Sequence, residues 1–381
     1  MKVSPSVSHF TLSTSGGPGL IAATLDKELT KMGVNSEIFS KGNVDLRKHP
    51  LSFPLLTLTA ATDDFVVRNR GWPTPVSLLR NTRALESGTP ALSHRDIIHL
   101  HWTQGLLTLD DIEAIPKPVV WTLHDMRPLT GACHQKLGCT RYEFGCTSCP
   151  AVRPIFRTMV ERQRAQISKL AKAKSDLLFI APTLWMKKQL VVGVQNLESK
   201  IKVIHHAVSV KTPSMNSAPA VVESKRSRKR VAVIGGLYDS ELKGLSSIKS
   251  LLMELSFKAD VTVVGHSKHI LPGVKYLPPM ARMDFLNFMN EQEAIIIPSL
   301  GESFSLVAFE AASLGKVVFG EQGSAIDEVA SAYGTFFPIS RAAEIISGEW
   351  LGGSAKTSRS PEIMAQEYLN VYLQLMSAKS F

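Results

Sequence analysis

The stretch AIIIPSLGESFSLVAFEAASLG, residues Ala294 to Gly315, decides the predicted fold. Its short apolar run, Ala294 to Ile297, is typical of a buried parallel strand, because parallel strands are covered on both faces. A Pro-Ser pair ends the strand. A helix is then predicted from Ser303 or Phe304 to Gly315, since a glycine after the last turn is the usual C-terminal signal.

Two glutamates frame this helix, Glu302 in the loop before it and Glu310 inside it. Helical rise puts their backbones roughly 12 Å apart. That is too far for two carboxylates that share one bond-breaking event, which lie about 5 to 10 Å apart. The spacing suits two acceptors that hold hydroxyls at opposite ends of one elongated ligand.

The backbone N–H groups between these acids are predicted to face an anion at the helix N-terminus. They belong to Ser303, Phe304 and Ser305. Hydroxyl acceptors around a phosphate site describe a nucleotide-sugar pocket. The alternative is a solvated Glu302 and an ordinary surface Glu310 on an amphipathic helix.

Length and composition predict a soluble protein of two domains. The chain has 381 residues, of which 44% are hydrophobic and 20% charged, enough for two separate cores. The sequence shows no apolar run of membrane-span length and no secretory signal, so we expect a cytoplasmic protein. The net charge of +10 favours an anionic partner, such as a membrane surface, nucleic acid or an acidic polymer.

The first domain opens with a predicted strand at 7–12, a glycine-rich loop at 13–19 and a helix at 20–32. This order is that of a doubly wound nucleotide-binding domain, although the loop has neither the dinucleotide nor the Walker spacing. We interpret it as a flexible loop that meets a substrate, and we count Gly16 and Gly17 among the candidate donor-binding residues. A plain tight turn is the alternative.

Two later strands of this domain, at 96–102 and 119–125, each have a histidine as their second-last residue. Ligands collect at the carboxyl ends of the strands in open α/β sheets. His124, followed by Asp125, is therefore a candidate catalytic residue. A satisfied structural histidine is the alternative.

All four cysteines lie within 17 residues: Cys133, Cys139, Cys146 and Cys149. A disulfide framework is not expected in a cytoplasmic protein, whereas four thiolates could hold a structural zinc. Buried free thiols and redox-sensitive pairing remain open. A zinc ion would hold a loop in place and would take no part in the chemistry.

Residues 153–174 carry apolar side chains at helical spacing among many Arg and Lys. Such a helix could lie on an anionic membrane or receive an anionic acceptor; a solvated basic face is the alternative. Residues 208–230 are rich in Ser, Pro and charge, and predict a linker. The expected domains are 1–207 with a C-terminal helix at 361–381, and 231–360.

The chain resembles the retaining glycosyltransferases of family 4, which have the GT-B fold of two Rossmann-like domains that face a cleft. The resemblance lies in the two spaced glutamates and in WTLHDMRPLTGACHQKLGCTRYEFGCTSCP, residues 121–150, which is similar to a surface-polysaccharide subgroup with a cysteine cluster. It also lies in the strand, glycine loop and Lys-Gly of the second domain, where Gly236 and Lys243 match residues that bind the donor diphosphate. Gly236 is followed by no arginine, and Arg127 stands where the family often has an aromatic residue.

The resemblance implies an enzyme that moves a sugar from a nucleotide-diphosphate donor to a saccharide or lipid-linked acceptor, with no metal needed for the chemistry. Glu310 would hold the ribose hydroxyls, Glu302 the sugar hydroxyls, and His124 would orient the sugar. Peripheral contact with the inner membrane face fits the basic charge. Two alternatives are a glycosyltransferase that acts on modified DNA and a non-enzymatic nucleotide-sugar or glycan-binding protein.

Overall fold

Two six-stranded sheets form the framework of the protein in this computed structural model. The structure describes residues 4–40, 66, 76–78, 92–104, 106–194, 197–211, 228–236, 241–265, 270–348, 352–357 and 359–378. Every strand pair within the two sheets is parallel. The predicted α/β fold with two parallel sheets is therefore confirmed.

The first sheet has the strand order β2-β1-β3-β4-β5-β6. Its strands are β1 (Ser6–Thr11), β2 (Asn35–Ser40), β3 (Ile97–Leu100), β4 (Val119–Thr122), β5 (Leu177–Ala181) and β6 (Ile201–Val203). The central strands β3, β4 and β5 are buried along their whole length, as expected where helices cover both faces of a sheet. The order reverses between β1 and β3, which is where ligands bind in open α/β sheets.

The second sheet has the order β12-β11-β10-β7-β8-β9. Its strands are β7 (Lys229–Gly236), β8 (Ala259–Gly265), β9 (Val274–Leu277), β10 (Ala294–Ile296), β11 (Val317–Gly320) and β12 (Thr335–Pro338). The order is that of a Rossmann sheet, and its reversal lies between β7 and β10.

The helices of the first unit are α1 (Gly16–Lys31), α2 (Leu109–Ala114), α3 (Arg127–Thr130), α4 (Arg141–Phe144), α5 (Arg157–Ala173), α6 (Leu184–Gly193) and, at the C-terminus, α12 (Pro361–Ala378). Those of the second unit are α7 (Lys249–Lys258), α8 (Arg282–Asn290), α9 (Leu306–Ser313), α10 (Ala325–Tyr333) and α11 (Ala342–Ser347). No helix in the described ranges combines the length and the apolar character that a membrane crossing requires.

The chain divides into two compact units: Met1–Ala207 with Ser360–Phe381, and Val208–Arg359. Each unit has its own hydrophobic core of buried residues around its sheet. Most of the predicted linker, residues 212–227, lies outside the described residues.

The C-terminal helix α12 belongs to the first unit and carries two buried tyrosines one helical turn apart. Tyr368 bonds through its hydroxyl to Thr122 Oγ1 at 2.9 Å, and Tyr372 bonds to His99 Nδ1 at 2.7 Å. Both tyrosines are fully buried. The last helix therefore completes the polar part of the first unit's core.

Two expectations about local structure are wrong. The stretch Lys316 to Phe319 predicts the last strand of the chain, but β12 follows β11 at the sheet edge and ends in Pro338. A proline is tolerated there since an edge strand needs fewer N–H donors. Helix α1 starts at Gly16 and not at Leu20. The glycines predicted as a flexible loop thus form the first helical turn, where Pro18 costs no hydrogen bond.

Candidate active site

Lys243 and Glu302 lie together at the point where the strand order of the second sheet reverses. Lys243 ends a short 3-10 helix (Glu241–Lys243) after β7, and Glu302 follows β10, the neighbouring strand. Lys243 Nζ lies 2.7 Å from Glu302 Oε1. Gly236 ends β7 beside them in sequence, and residues 237–240 lie outside the described residues.

Gly244 holds the two loops against each other. Its φ is +68°, and a Cβ at this position would lie 1.9 Å from the carbonyl oxygen of Pro298. No side chain fits that contact, which requires glycine for both its conformation and its size. Leu300 N–H also donates to the carbonyl of Leu242 at 2.9 Å. The ion pair between Lys243 and Glu302 is therefore set by backbone packing.

Helix α9 begins at Leu306, later than the sequence predicts. Ser305 precedes it with φ +68° and ψ 88°, and its Oγ accepts a hydrogen bond from the N–H of Ala308 at 3.3 Å. A left-handed residue interrupts a helix, so the helix cannot extend back to Ser303 or Phe304. The N–H groups of the first turn accordingly belong to Leu306 to Ala308, and the amides of Ser303, Phe304 and Ser305 belong to the loop before it.

Glu310 lies inside α9 and is almost fully buried, with 2% of its surface exposed. Burial raises the pKa of its carboxyl group, and the nearby Arg282 guanidinium opposes that rise. Arg282, the first residue of α8, forms an ion pair with Glu310 and donates to the carbonyl of Ser209 at 3.2 Å. Nothing in the sequence marks Arg282 as the partner of Glu310, because the two residues lie on different helices and their distance in sequence carries no signal.

Two predicted site residues of the first unit lie after β1, beside the point where the order of the first sheet reverses. Gly16 and Gly17 open α1, directly after β1. The first turn packs tightly on the preceding loop, since a Cβ at Gly19 would lie 2.3 Å from the carbonyl oxygen of Ser13. The backbone of this turn is therefore closely packed.

His124 follows β4 and lies in a group of histidines. Its Nε2 is 3.1 Å from His101 Nδ1, and its ring stacks on that of His206 at 5.0 Å. Burial lowers the pKa of His124 to about 4, so the ring is neutral at physiological pH.

A small cavity adjoins His124 and Asp125. Two hydrogen-bond donors of its lining, Trp102 Nε1 and Gln104 Nε2, are buried without a partner among the described residues. Both are suited to bind oxygen atoms of a ligand. A second, larger cavity shares Trp121 and Arg127 with the first, and is lined further by Gln163 and Gln166 of α5.

Asp125 is oriented by His134 and Ser77. His134 Nδ1 lies 2.7 Å from Asp125 Oδ2, and His134 Nε2 lies 3.0 Å from Ser77 Oγ. Burial alone would raise the pKa of Asp125, but His134 and Arg127 hold it below its usual value. Ser77 is buried, and its backbone is bonded to Ala132 and Arg127. Ser77, His134 and Asp125 are thus hydrogen-bonded in the same order as a hydrolytic triad. In this site the bonds fix the orientation of the Asp125 carboxylate.

The four cysteines give the predicted structural zinc no support. All four are free thiols, and their sulfur atoms do not converge on one point. Cys133 donates to Cys149, which lowers the pKa of the Cys149 thiol and raises that of Cys133. Burial raises the pKa of Cys146 to about 12. A tetrahedral zinc site would need its four ligand atoms around one ion, and the cysteine sulfur atoms do not have this arrangement.

Within the described part of the chain, a single group of three or more potential ligands has its atoms within 4.8 Å: His9, His99 and His101. Both ring nitrogens of His99 are already bonded, Nδ1 to Tyr372 and Nε2 to Thr122 at 2.8 Å. The group contains no carboxylate to balance the charge of a buried cation. Hydrogen bonding accounts for this cluster without a metal.

No family model matches the chain. The chain is 22% identical over 394 residues to an Escherichia coli K12 protein named as a colanic acid biosynthesis glycosyl transferase, WcaC; the match covers 94% of this chain and 97% of the relative. It is 22% identical over 326 residues to D-inositol 3-phosphate glycosyltransferase of Mycolicibacterium smegmatis, with 80% and 70% covered.

Among solved structures, the catalytic domain of starch synthase IV from Arabidopsis thaliana, bound to ADP and acarbose, matches with a TM-score of 0.54 and 13% identity, over 98% of this chain and 100% of that chain. The predicted GT-B fold is confirmed. Both relatives are named as glycosyltransferases, which is the enzyme class that the sequence predicts. The comparisons do not favour the DNA-modifying or non-enzymatic alternatives.

The histidine cluster predicts a loss of stability in mild acid. Burial lowers the pKa of His9 to about 3 and that of His124 to about 4, and lowers those of His99 and His101 well below 6.5. The unfolded chain therefore binds more protons than the folded chain. The four neutral histidines contribute fully to the free energy of unfolding above about pH 6.5. As the pH drops towards 4, each of them lowers this free energy by about 1.4 kcal/mol per pH unit.

Urea unfolding at pH 7.5, 6.5, 5.5 and 5.0, followed by tryptophan fluorescence, measures this loss. Trp102, Trp121 and Trp185 report on the first unit, whereas Trp350 belongs to the second and is replaced by Phe for this measurement. The control variant is His94→Gln, which removes an exposed histidine outside the cluster. A free energy of unfolding that is constant between pH 6.5 and 5.0 would show that the cluster is not held neutral.

Proposed function

We propose that this protein is a retaining glycosyltransferase that moves a sugar from a nucleotide-diphosphate donor to a hydroxyl of a saccharide or lipid-linked acceptor. The observation that carries the proposal is the set Lys243, Glu302 and Glu310 at the reversal of strand order in the second sheet. A relative that aligns over nearly the whole chain is named for colanic acid biosynthesis. Surface-polysaccharide assembly is therefore the process we propose.

In this proposal the second unit binds the nucleotide. Lys243 supplies a point charge for the diphosphate, helped by the N–H groups at the start of α9. Glu310, buried at the other end of the site, accepts hydrogen bonds from the ribose hydroxyls. Glu302 accepts from the hydroxyls of the sugar. Charge that develops on the leaving diphosphate is thereby stabilised.

Both acids are ion-paired in the described structure, so the ligand has to exchange with existing partners. A phosphate oxygen can take the place of Glu302 at Lys243, while a sugar hydroxyl donates to the released carboxylate. The ribose hydroxyls can donate to Glu310 while Arg282 keeps its contact, since a carboxylate has about four lone-pair sites.

The first unit contributes His124, which orients the sugar, and the acceptor site. The larger cavity offers amide, guanidinium and indole groups, the chemistry that binds hydroxylated ligands. Retention follows from attack on the same face of the sugar as the leaving phosphate. No protein nucleophile or metal ion is needed in this proposal.

Contact of the first unit with an anionic membrane surface is the proposed location. Phe144 and Ile155 are 88% and 74% exposed, which is unusual for large apolar side chains. Arg141 and Arg153 lie near them in the chain, and the basic helix α5 follows. Apolar anchors beside basic residues suit an interface with anionic lipids.

A nucleoside diphosphate should stabilise the protein against heat. Thermal unfolding is measured with UDP, GDP, ADP and dTDP, with NAD as the control ligand. A nucleotide at about 100 times its dissociation constant adds roughly 2.7 kcal/mol, which raises the midpoint by a few degrees. We expect a shift with one or more diphosphates, and none with NAD.

Glu310→Gln should abolish most of that shift. The matched control is Glu344→Gln, which removes an exposed glutamate of the same unit. Glu344 forms an ion pair with Arg341 at 2.8 Å. Wild-type protein that no diphosphate stabilises would overturn the proposed donor site.

Sugar transfer should depend on Glu302 and His124. With a donor that binds, Glu302→Gln and His124→Asn should lower kcat about 100-fold, the usual cost of one transition-state interaction. The diphosphate affinity of Glu302→Gln should be kept or increased, because Lys243 is then released from its ion pair. The anomeric configuration of the product, read by NMR, tests retention; an inverted product or unchanged kcat in both variants contradicts the assignment.

Membrane contact should depend on Phe144 and Ile155. We expect the wild-type protein to sediment with anionic phosphatidylglycerol vesicles and to stay in solution with neutral phosphatidylcholine vesicles. Phe144→Ser with Ile155→Ser should weaken sedimentation at least several-fold. Phe257→Ser, which removes an 80% exposed phenylalanine of the second unit, is the control; equal losses in both variants would exclude this surface.

A further inference from the structure

Three histidines form a hydrogen-bonded row across the first sheet. His9 lies on β1, His101 directly after β3, and His124 after β4. His9 Nδ1 is 3.2 Å from His101 Nε2, and His101 Nδ1 is 3.1 Å from His124 Nε2. His101 therefore uses both of its ring nitrogens within the row.

Each ring of the row is neutral, because burial disfavours the charged form. A neutral imidazole carries one N–H donor and one acceptor nitrogen. If His101 donates to His124, it must accept from His9; if it donates to His9, it must accept from His124. The two hydrogen bonds thus run in the same direction, and all three tautomers are set together.

His9 decides between the two directions. Its Nε2 is buried, and no hydrogen-bond partner for it exists among the described residues. If the row ran from His124 to His9, the proton of His9 would sit on this nitrogen as an unsatisfied buried donor, which is rare and costly. The opposite direction leaves only a lone pair there, and places every N–H of His9 and His101 in a hydrogen bond.

We propose that His9 and His101 are positioning residues that hold His124 in the tautomer protonated at Nδ1. His9 donates to His101, and His101 donates to Nε2 of His124. His124 then donates through Nδ1 alone, and it cannot offer Nε2–H to a ligand. The effect on sugar transfer rests on the proposed function, whereas the tautomer itself does not.

A metal ion explains the same cluster less well. The close nitrogens of His9 and His101 could ligate one ion, but His99 would have to give up a bond to Tyr372 or Thr122. A buried dication would also lack a negative ligand. Bound metal is therefore an outcome that would overturn the proposal.

The experiment is ring-nitrogen NMR of the full chain labelled with 15N-histidine, which reports the protonated nitrogen of each imidazole. The signals of His9, His101 and His124 are assigned among the eleven histidines by single substitutions. We expect Nδ1–H for all three. The proposal is overturned if the wild-type spectrum shows His124 protonated at Nε2. It is also overturned if elemental analysis finds one equivalent of zinc, copper or nickel. Both measurements use the wild-type protein, so they hold even where variants fail to fold.

Two substitutions at His9 test its positioning role. His9→Asn keeps an amide N–H near the place of Nδ1, so His124 should stay in the Nδ1–H tautomer and kcat should change less than about threefold. His9→Leu removes that N–H, so His124 should show both tautomers and kcat should fall about tenfold, with KM for the donor nearly unchanged. His94→Leu, the same change at an exposed histidine, is the control.

The outcomes separate this inference from the proposed function. Wild-type protein that transfers no sugar but shows the expected tautomers would refute only the function. Protein that transfers sugar with His124 protonated at Nε2 would refute only the inference. Equal behaviour of His9→Asn and His9→Leu would refute the positioning role of His9.

Discussion

Parallel strand pairing is the constraint on which the candidate site depends. Within each sheet all strands run in one direction, so their carboxyl ends meet at one edge whatever their distance in sequence. Lys243 and Glu302, which are 59 residues apart, become neighbours because β7 and β10 pair at the reversal of strand order. The same constraint aligns His9 with His99 in register on β1 and β3, and places His101 and His124 beyond the ends of β3 and β4.

A second constraint is that polar groups inside the first sheet have to be neutral and bonded. Burial disfavours protonated histidine, and an unmade hydrogen bond in the core is costly. Tyr368 and Tyr372 of the C-terminal helix supply hydroxyls to Thr122 and His99, so the end of the chain completes a network that begins on β1. This gives the helix a role beyond apolar packing, because without it His99 would lose a partner in a fully buried place.

The sequence was sufficient for the α/β fold, because apolar strands and helix stops are local patterns: β10 lies within the apolar run predicted as a buried strand. It failed at β12, whose Pro338 is acceptable only at an edge, and at α9, where the left-handed Ser305 delays the helix. Neither an edge position nor a backbone angle is visible in local composition. Arg282 as the partner of Glu310 depends on tertiary contact for the same reason. The assigned roles of the site residues are still predictions.

The ion pair between Lys243 and Glu302 also indicates which ligand the site would prefer. A simple anion at Lys243 would displace Glu302 and leave that carboxylate, 21% exposed, without its cation. A neutral sugar at Glu302 would compete with Lys243 and leave the ammonium group without an anion. A ligand that carries phosphate and hydroxyls together supplies an acceptor to Lys243 and donors to Glu302, so neither partner loses its hydrogen bonds. Under the proposed function, the ion pair therefore favours an intact nucleotide sugar over a nucleotide or a sugar alone. Only the intact molecule offers an acceptor to Lys243 and donors to Glu302 at the same time.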